Sequence, residues 1–266
     1  MQQHPDTTYS TFELPHKRRV DSGGITDEEK RIRIDLAAAY RLCALFGWDD
    51  LIYTHLSARL PGADHHFLVN PLGLAFEEIT ASSLVKIDLD GNVMGDSPYQ
   101  PNAAGFVIHG GIHAAREDAG CVMHLHTEAG IALSMLKEGL MPLSQHAMRF
   151  YGRVGYHDYE GIALATGERE RLIANLGSHA ALILRNHGTL TVGKTVGQAF
   201  VEMFYLEKAA RAQLLAQATA QKLNAPPAEV SALTVSQWVN DMKGSGQREW
   251  PSLLRKLDRI DASYRD

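Results

Sequence analysis

The chain has little of what marks secreted, membrane or nucleic-acid-binding proteins. Only two of its 266 residues are cysteines, Cys43 and Cys121, and both lie among apolar neighbours. This excludes a disulfide-based scaffold, and we expect both cysteines to be reduced core residues. No apolar run approaches the ~18 residues of a membrane span, and the polar N-terminus lacks the apolar stretch of a signal peptide. We therefore expect a cytoplasmic protein that does not bind membranes.

Charge gives no sign of a polyanionic partner. The formal net charge is −5, from 26 Lys and Arg against 31 Asp and Glu residues, without a basic block. Nucleic acid is therefore not an expected partner. A hydrophobic fraction of 45 % suffices for a full globular core.

The pattern along the chain predicts one α/β domain with an extension at each end. Residues 1–25 form a polar N-terminal arm, residues 26–224 the domain, and residues 225–266 a C-terminal extension with one or two short helices. Thr26 and Glu29 have the spacing of a capping box, which predicts that the first helix begins there. Gly47 is expected to end it. A strand is predicted over residues 51–59, and the longest helix over residues 194–222.

Two apolar runs each end in histidine. The first contains His124 and His126, which share one face of a predicted strand because side chains alternate along a strand. The second ends in His187. Three histidines with an open fourth position are typical of a catalytic metal site. The alternative is that these are hydrogen-bonded core histidines.

Six segments in this order resemble the class II aldolase/adducin family, nearest to its adducin-type, head-domain-like branch. They are Gly-Trp-Asp-Asp-Leu-Ile-Tyr-Thr-His-Leu-Ser-Ala-Arg (47–59), Phe-Leu-Val-Asn-Pro-Leu-Gly-Leu (67–74), Ile-Thr-Ala-Ser-Ser-Leu-Val-Lys-Ile-Asp-Leu-Asp-Gly-Asn (79–92), Cys-Val-Met-His-Leu-His-Thr (121–127), Tyr-His-Asp-Tyr-Glu-Gly (156–161) and Leu-Ile-Leu-Arg-Asn-His-Gly (182–188). The resemblance covers about residues 28–222.

This resemblance implies a three-layer αβα sandwich around a largely antiparallel, nine-stranded sheet. It also implies a homotetramer of C4 symmetry with active sites at subunit interfaces. The family's metal ligands correspond to His124, His126 and His187, and its usual ion is Zn²⁺. Imidazole does not select strongly among ions, so Fe²⁺ and Mn²⁺ stay open.

The family's phosphate-binding and catalytic residues are not kept. A Ser-Ser-Glu stretch that binds phosphate and moves the proton corresponds to Ala103, Ala104 and Gly105. A Thr-Gly pair corresponds to Leu72 and Gly73, and an asparagine to His55. A phosphate dianion needs several charge-assisted donors, so we expect a small-molecule substrate that is not a sugar phosphate. His55 and Gly73 remain the expected substrate-binding residues, with His55 as a fourth metal ligand in the alternative.

Two residues are candidates for the missing acid/base. His146 lies near the place of a tyrosine that a neighbouring subunit supplies in the aldolases, and histidine transfers protons near neutral pH. Glu128 directly follows the metal strand. The alternatives are a surface histidine at a subunit interface and an acidic residue favoured near a helix N-terminus. His109 and His113, one helical turn apart, are expected to be core or interface residues.

Three functions fit these observations. The first is a metal-dependent lyase that performs aldol cleavage or decarboxylation of a small hydroxy or keto compound through a metal-bound enediolate or enolate. The second is a non-haem iron oxygenase that uses the same three histidines. The third is a non-catalytic, adducin-like assembly module.

Overall fold

A seven-stranded sheet between two layers of helices organises the computed structural model of the chain. The structure describes residues 24–62, 65–101, 103–161, 166–241 and 246–266. Across the sheet the strands follow the order β3 (Val85–Ile87), β2 (Phe67–Val69), β1 (His55–Arg59), β4 (Cys121–Leu125), β7 (Gly188–Gly193), β6 (Ala181–Leu184) and β5 (Val154–His157). All neighbours are antiparallel except β5 and β6. The expected αβα sandwich around a largely antiparallel sheet is confirmed, but the described residues form seven strands instead of nine.

The helices and strands have the following bounds. The strands are β1 (His55–Arg59), β2 (Phe67–Val69), β3 (Val85–Ile87), β4 (Cys121–Leu125), β5 (Val154–His157), β6 (Ala181–Leu184) and β7 (Gly188–Gly193). The α-helices are α1 (Asp27–Phe46), α2 (Ala103–Ala115), α3 (Glu128–Ser134), α4 (Gln145–Met148), α5 (Thr166–Leu176), α6 (Val196–Ala218), α7 (Ala228–Ser236) and α8 (Glu249–Ile260). Short 3-10 turns occupy Phe76–Glu78 and Ser263–Arg265, and a π-helical turn occupies Gln237–Asp241.

Both ends of α1 are where the sequence predicts them. The Glu29 backbone N–H donates to Thr26 Oγ1 at 3.1 Å. Gly47 closes the helix in the left-handed conformation, at φ 67°, which glycine adopts without steric cost. The Glu29 carboxylate does not complete a capping box; it pairs with Arg33 at 2.9 Å and Lys86 at 3.1 Å. These pairs tie the first turn of α1 to the sheet.

The first predicted strand and the longest predicted helix are both too long. Leu51 and Thr54 have φ of 53° and 63°, which an extended strand does not allow, so β1 begins only at His55. The helix predicted over 194–222 spans Val196–Ala218. Its start is set by Thr195, whose side chain accepts from the Gln198 backbone N–H as an N-cap.

Alternation along β4 divides the molecule into two cores. Met123 and its neighbours on one sheet face pack with α1 and α6, in a cluster that includes Phe200. Val122 on the opposite face packs with α2 and α5, in a cluster that includes Ile112 and Leu172. His124 lies on the face that α2 covers, because it shares the parity of Val122 along β4.

The part of the C-terminal segment that the structure describes packs onto α1 and α6. Trp250 is buried against Phe200, with ring centroids 5.6 Å apart, and its Nε1–H donates to Asp35 at 2.9 Å. Tyr264 is completely buried in the same core. The predicted N-terminal arm lies outside the described residues up to residue 23.

Both cysteines are free and buried, as the sequence predicts. Burial raises the pKa of each thiol above its ordinary value. Of the helices in the described ranges, none is both long and apolar enough to cross a membrane.

Candidate metal centre

Three histidines from two places in the chain meet at one end of the sheet. His124 is the fourth residue of β4, His126 follows that strand, and His187 lies in the turn between β6 and β7. One ligand nitrogen from each ring lies within 4.8 Å of those of the other two. His124 is buried, and the other two rings are partly exposed. The structure therefore brings together the three predicted metal ligands.

The turn that carries His187 restricts both neighbouring residues, one by its backbone conformation and the other by a close contact. Asn186 has a φ of 56°, a left-handed conformation that asparagine tolerates better than most residues. Gly188 lies against the end of β4, where a Cβ atom would be 2.6 Å from the Leu125 carbonyl oxygen. The His187 backbone N–H donates to Ser134 Oγ at 3.2 Å. These contacts hold the His187 turn beside His126.

Hydrogen bonds at the far ring nitrogens fix how His124 and His126 face each other. His124 Nδ1 lies 3.1 Å from the Thr189 carbonyl oxygen, and His126 Nδ1 lies 2.9 Å from Asp50 Oδ2. Both partners accept, so each neutral ring carries its proton on Nδ1 and a lone pair on Nε2. The two Nε2 atoms are 3.1 Å apart. Two lone pairs at this distance repel each other unless a proton or a metal ion lies between them.

A metal ion fits this donor set. Zinc–imidazole bonds of 2.0–2.1 Å in tetrahedral geometry place neighbouring nitrogens about 3.3 Å apart. The contacts of Asp50 and the Thr189 carbonyl are those by which metal-binding histidines are usually oriented. Three imidazoles leave a fourth position open, as in catalytic zinc sites. His124, His126 and His187 could therefore hold the ion and leave room for a substrate oxygen.

Burial keeps the rings of His124 and His187 neutral near neutral pH. It lowers the pKa of His124 well below its ordinary value, and the nearby rings of His55 and His187 lower it further. Burial also lowers the pKa of His187 to about 4, with a smaller effect from His126. A metal binds the neutral imidazole, so His124 and His187 need no deprotonation before metal binding near pH 7.

His55 lies beside this centre. It begins β1, pairs across the sheet with His124, and has its ring centroid 5.4 Å from that of His124. It is not among the three residues whose ligand atoms cluster within 4.8 Å. Burial lowers the pKa of His55 to about 3, and the nearby rings of His126 and His187 add to this effect. The ring is thus held neutral at the edge of the site.

The other predicted site residues are spread over several elements. Gly73 lies in the turn after β2, with a φ of 95°. Glu128 is exposed in the first turn of α3. Residues 103–105 begin α2, and their side chains lie outside the part of the chain that the structure describes. The roles assigned to Gly73 and Glu128 stay predictions.

His146 lies on α4, where its ring is 5.0 Å from that of Tyr205 on α6. Burial, together with the charges of Lys208 and Arg149, lowers the pKa of His146. Its Nδ1 is buried and has no hydrogen-bond partner within the described residues. The predicted role depends on a neighbouring subunit, and it stays a prediction.

Two residues beside the centre were not singled out from the sequence. Asp50 contacts His126 across 76 positions of chain. Tyr159, which is 53 % exposed, has its ring centroid 6.1 Å from that of His187. Both belong to the segments that carry the family resemblance, which is the only signal for them in the sequence. Their contacts arise only when the strands are paired.

Comparison with known proteins agrees with this fold. Residues 34–214 match the family model described as the class II aldolase and adducin N-terminal domain. An aldolase II superfamily protein from Pseudomonas syringae is 50 % identical with a TM-score of 0.88, over 93 % of this chain and 100 % of that chain. An L-fuculose 1-phosphate aldolase from Glaciozyma antarctica PI12 is 33 % identical with a TM-score of 0.80, over 90 % and 93 % of the two chains.

The similarity also extends to a much longer protein. Alpha-adducin of Rattus norvegicus is 40 % identical over 258 aligned residues. The match covers 91 % of this chain but only 35 % of that protein. The matched part of alpha-adducin is therefore about one third of its length.

Proposed function

The chain belongs to the class II aldolase and adducin family, and on this premise we propose that it is a metal-dependent lyase. Its substrate is a small hydroxy or keto compound without a phosphate group. The observation that carries the proposal is the 3.1 Å separation of the Nε2 atoms of His124 and His126, whose Nδ1 atoms face the Thr189 carbonyl and the Asp50 carboxylate. In the neutral rings both Nε2 atoms carry lone pairs, and a metal ion bound between them would use both.

The chemistry follows from the donor set. His124, His126 and His187 hold the ion, which supplies Lewis acidity to a substrate carbonyl when bound. Aldol cleavage and decarboxylation both develop negative charge next to a carbonyl group, and this polarisation favours both reactions. Zn²⁺ is the proposed ion, with Fe²⁺ and Mn²⁺ as alternatives.

Elemental analysis tests the metal. Protein purified without added metal or chelator should contain about one zinc ion per chain, since three imidazoles with an open position suit zinc. His124→Ala should lose the ion, and His66→Ala, which changes a histidine before β2, should keep it. Iron in place of zinc would favour the oxygenase. A folded protein without stoichiometric metal would contradict both enzyme functions.

The absence of phosphate in the substrate rests on three positions. Ala103, Ala104 and Leu72 have no donor side chain where the sugar-phosphate aldolases bind phosphate. The similarity to the Glaciozyma aldolase, which is named for a phosphorylated sugar, favours the opposite candidate, a sugar-phosphate substrate.

A matched pair of substrates separates these two candidates. L-fuculose and L-fuculose 1-phosphate differ only in the phosphate group, and release of lactaldehyde reports cleavage of either. The metal-loaded protein should release lactaldehyde from L-fuculose 1-phosphate no faster than His124→Ala does. Cleavage of the phosphate ester well above that level would contradict a substrate without phosphate.

We also propose that the protein is a homotetramer in which His146 of one subunit acts as acid or base at the site of the next. Sedimentation velocity tests the tetramer. Once a substrate is known, mixing His146→Ala with His124→Ala subunits tests the shared site. Restored activity is expected because such a mixed tetramer has an interface that combines an intact metal site with an intact His146.

Glu128 is the alternative acid or base. In that case Glu128→Gln should be inactive in a tetramer of that variant alone.

A non-catalytic function is the remaining candidate. The likeness to alpha-adducin favours an assembly module, although this chain matches only 35 % of that protein. The observation against it is the oriented histidine set, since assembly alone requires no open metal site.

A further inference from the structure

A continuous line of buried polar side chains runs beneath the sheet and ends beside the metal centre. It joins His113 and His109 on α2 to Ser57 and His55 on β1. All four residues are between 0 % and 4 % exposed. Buried polar groups are costly unless each is hydrogen-bonded, and in this line each is.

The line has four links. His113 Nδ1 lies 3.0 Å from the Ala119 carbonyl oxygen, and His113 Nε2 lies 2.7 Å from Ser57 Oγ. Ser57 Oγ also lies 2.6 Å from His109 Nδ1. His109 Nε2 lies 2.9 Å from His55 Nδ1.

One end of the line determines the direction of every link. A carbonyl oxygen can only accept, so His113 carries its proton on Nδ1, and Nε2 of the neutral ring must accept. The Ser57 hydroxyl therefore donates to His113, and its oxygen accepts from His109 Nδ1–H. The second nitrogen of a neutral His109 then accepts from His55 Nδ1–H.

Burial supports the neutral form of all three rings. It lowers the pKa of His113 and of His55 to about 3, and that of His109 well below its ordinary value. A protonated His109 would reverse the last link, and it would place an unpaired positive charge in the core.

We propose that His113, Ser57 and His109 are positioning residues that hold His55 with its proton on Nδ1 and a lone pair on Nε2. His55 then accepts a hydrogen bond from a hydroxyl group of the substrate. This inference rests on the proposed lyase function and narrows the substrate to compounds with a hydroxyl group beside the metal-binding oxygen. It also makes His55 a substrate-binding residue instead of a fourth metal ligand, in keeping with its place outside the cluster of three.

Nitrogen-15 NMR of histidine-labelled protein tests the tautomers directly. The ring nitrogen shifts should show His113, His109 and His55 all neutral, with the proton on Nδ1. A proton on Nε2 of His55, or a charged His109, would overturn the proposal. Loading with Zn²⁺ should move Nε2 of His124 and His126 and one ring nitrogen of His187, and it should leave the lone-pair signature of His55. If His55 Nε2 also acquires a metal-bound shift, His55 is a ligand and the proposal is wrong.

Substitution of the central hydroxyl tests the positioning role. Ser57→Ala should give a second tautomer of His55 in a measurable fraction of molecules, because His109 loses its acceptor. Ser57→Thr keeps the hydroxyl and should keep the single tautomer. Ser231→Ala is the matched control, since Ser231 is fully buried and its Oγ has no partner within the described residues. An unchanged His55 spectrum in folded Ser57→Ala would contradict the positioning role.

The tautomer proposal and the proposed lyase function can fail independently of each other. The tautomers are measured without turnover, and the wild-type spectrum is informative even if Ser57→Ala does not fold. A protein that lacks metal but shows three Nδ1–H rings would contradict the lyase and keep the relay of fixed tautomers. A protein that binds zinc but shows a mixture of His55 tautomers would keep the lyase and contradict the fixed tautomers.

Discussion

At the scale of single residues, the site depends on which atom each ring nitrogen contacts. The Thr189 carbonyl and the Asp50 carboxylate accept hydrogen bonds from Nδ1 of His124 and His126, and this leaves Nε2 of both rings available to a metal. The Thr189 contact comes from a backbone carbonyl and cannot be removed by substitution. Asp50 is therefore the residue at which orientation of the metal ligands can be tested.

Asp50→Ala should weaken metal binding without unfolding the protein. Loss of a carboxylate that orients a metal-binding histidine typically lowers metal affinity about 10–100-fold. Competition with a chromogenic zinc chelator measures this change. Asp49→Ala is the matched control, because the Asp49 side chain is exposed next to Asp50 and should leave affinity unchanged. Equal affinities for the two variants would show that Asp50 does not orient His126.

At the scale of elements, the centre is built by the pairing of β4 with β7. Register places Leu125 opposite Thr189 and brings the His187 turn against the end of β4. The close approach depends on Gly188, which has room for a hydrogen and not for a methyl group. We therefore expect metal binding to be coupled to the packing of these two strands.

Gly188→Ala should disturb the metal centre directly. The added Cβ would lie 2.6 Å from the Leu125 carbonyl oxygen and 3.1 Å from His126 Cδ2, so β4 and β7 must move apart. We expect loss of bound metal by elemental analysis, together with a lower melting temperature. Gly167→Ala on α5 is the control, because the added Cβ would lie no closer than 3.9 Å to its nearest neighbour, Arg171 Nη1. Full metal content in Gly188→Ala would contradict this account of the turn.

At the scale of the whole molecule, the core contains titratable groups that folding keeps neutral. His113 is one of them. It lies on α2 against β1 and is completely buried, and burial lowers its pKa from 6.5 to about 3. The unfolded chain takes up a proton there below about pH 6.5, whereas the folded chain does not until about pH 3. The unfolded state therefore binds more protons in this window, and stability falls as the pH falls.

The free energy of unfolding should decrease from pH 6.5 toward pH 4. Each such histidine contributes a slope of at most about 1.4 kcal/mol per pH unit. His113→Gln lacks this group and should show a shallower slope by up to that amount. Urea unfolding at fixed protein concentration across this range measures both slopes. Parallel slopes for wild type and variant would contradict a neutral, buried His113.

Local signals account for what the sequence determined by itself. Thr26 and Gly47 limit α1 because a hydroxyl cap and a left-handed glycine act on their own turns. The spacing of His124 and His126 is equally local, since strand alternation alone puts both on one face. Local patterns therefore predicted the ends of α1 and the three histidines that the structure brings together, and the family resemblance predicted the sandwich fold.

Only tertiary structure decided how these residues are oriented. Leu51 and Thr54 leave the extended conformation, and that break shortens β1 against the sequence prediction. Asp50 reaches His126, and His109 reaches His55, across more than 50 positions each. Such contacts depend on strand register and helix packing, which no local pattern specifies. The three candidate ligands could thus be predicted from the sequence, while the hydrogen bonds that orient their rings required the fold.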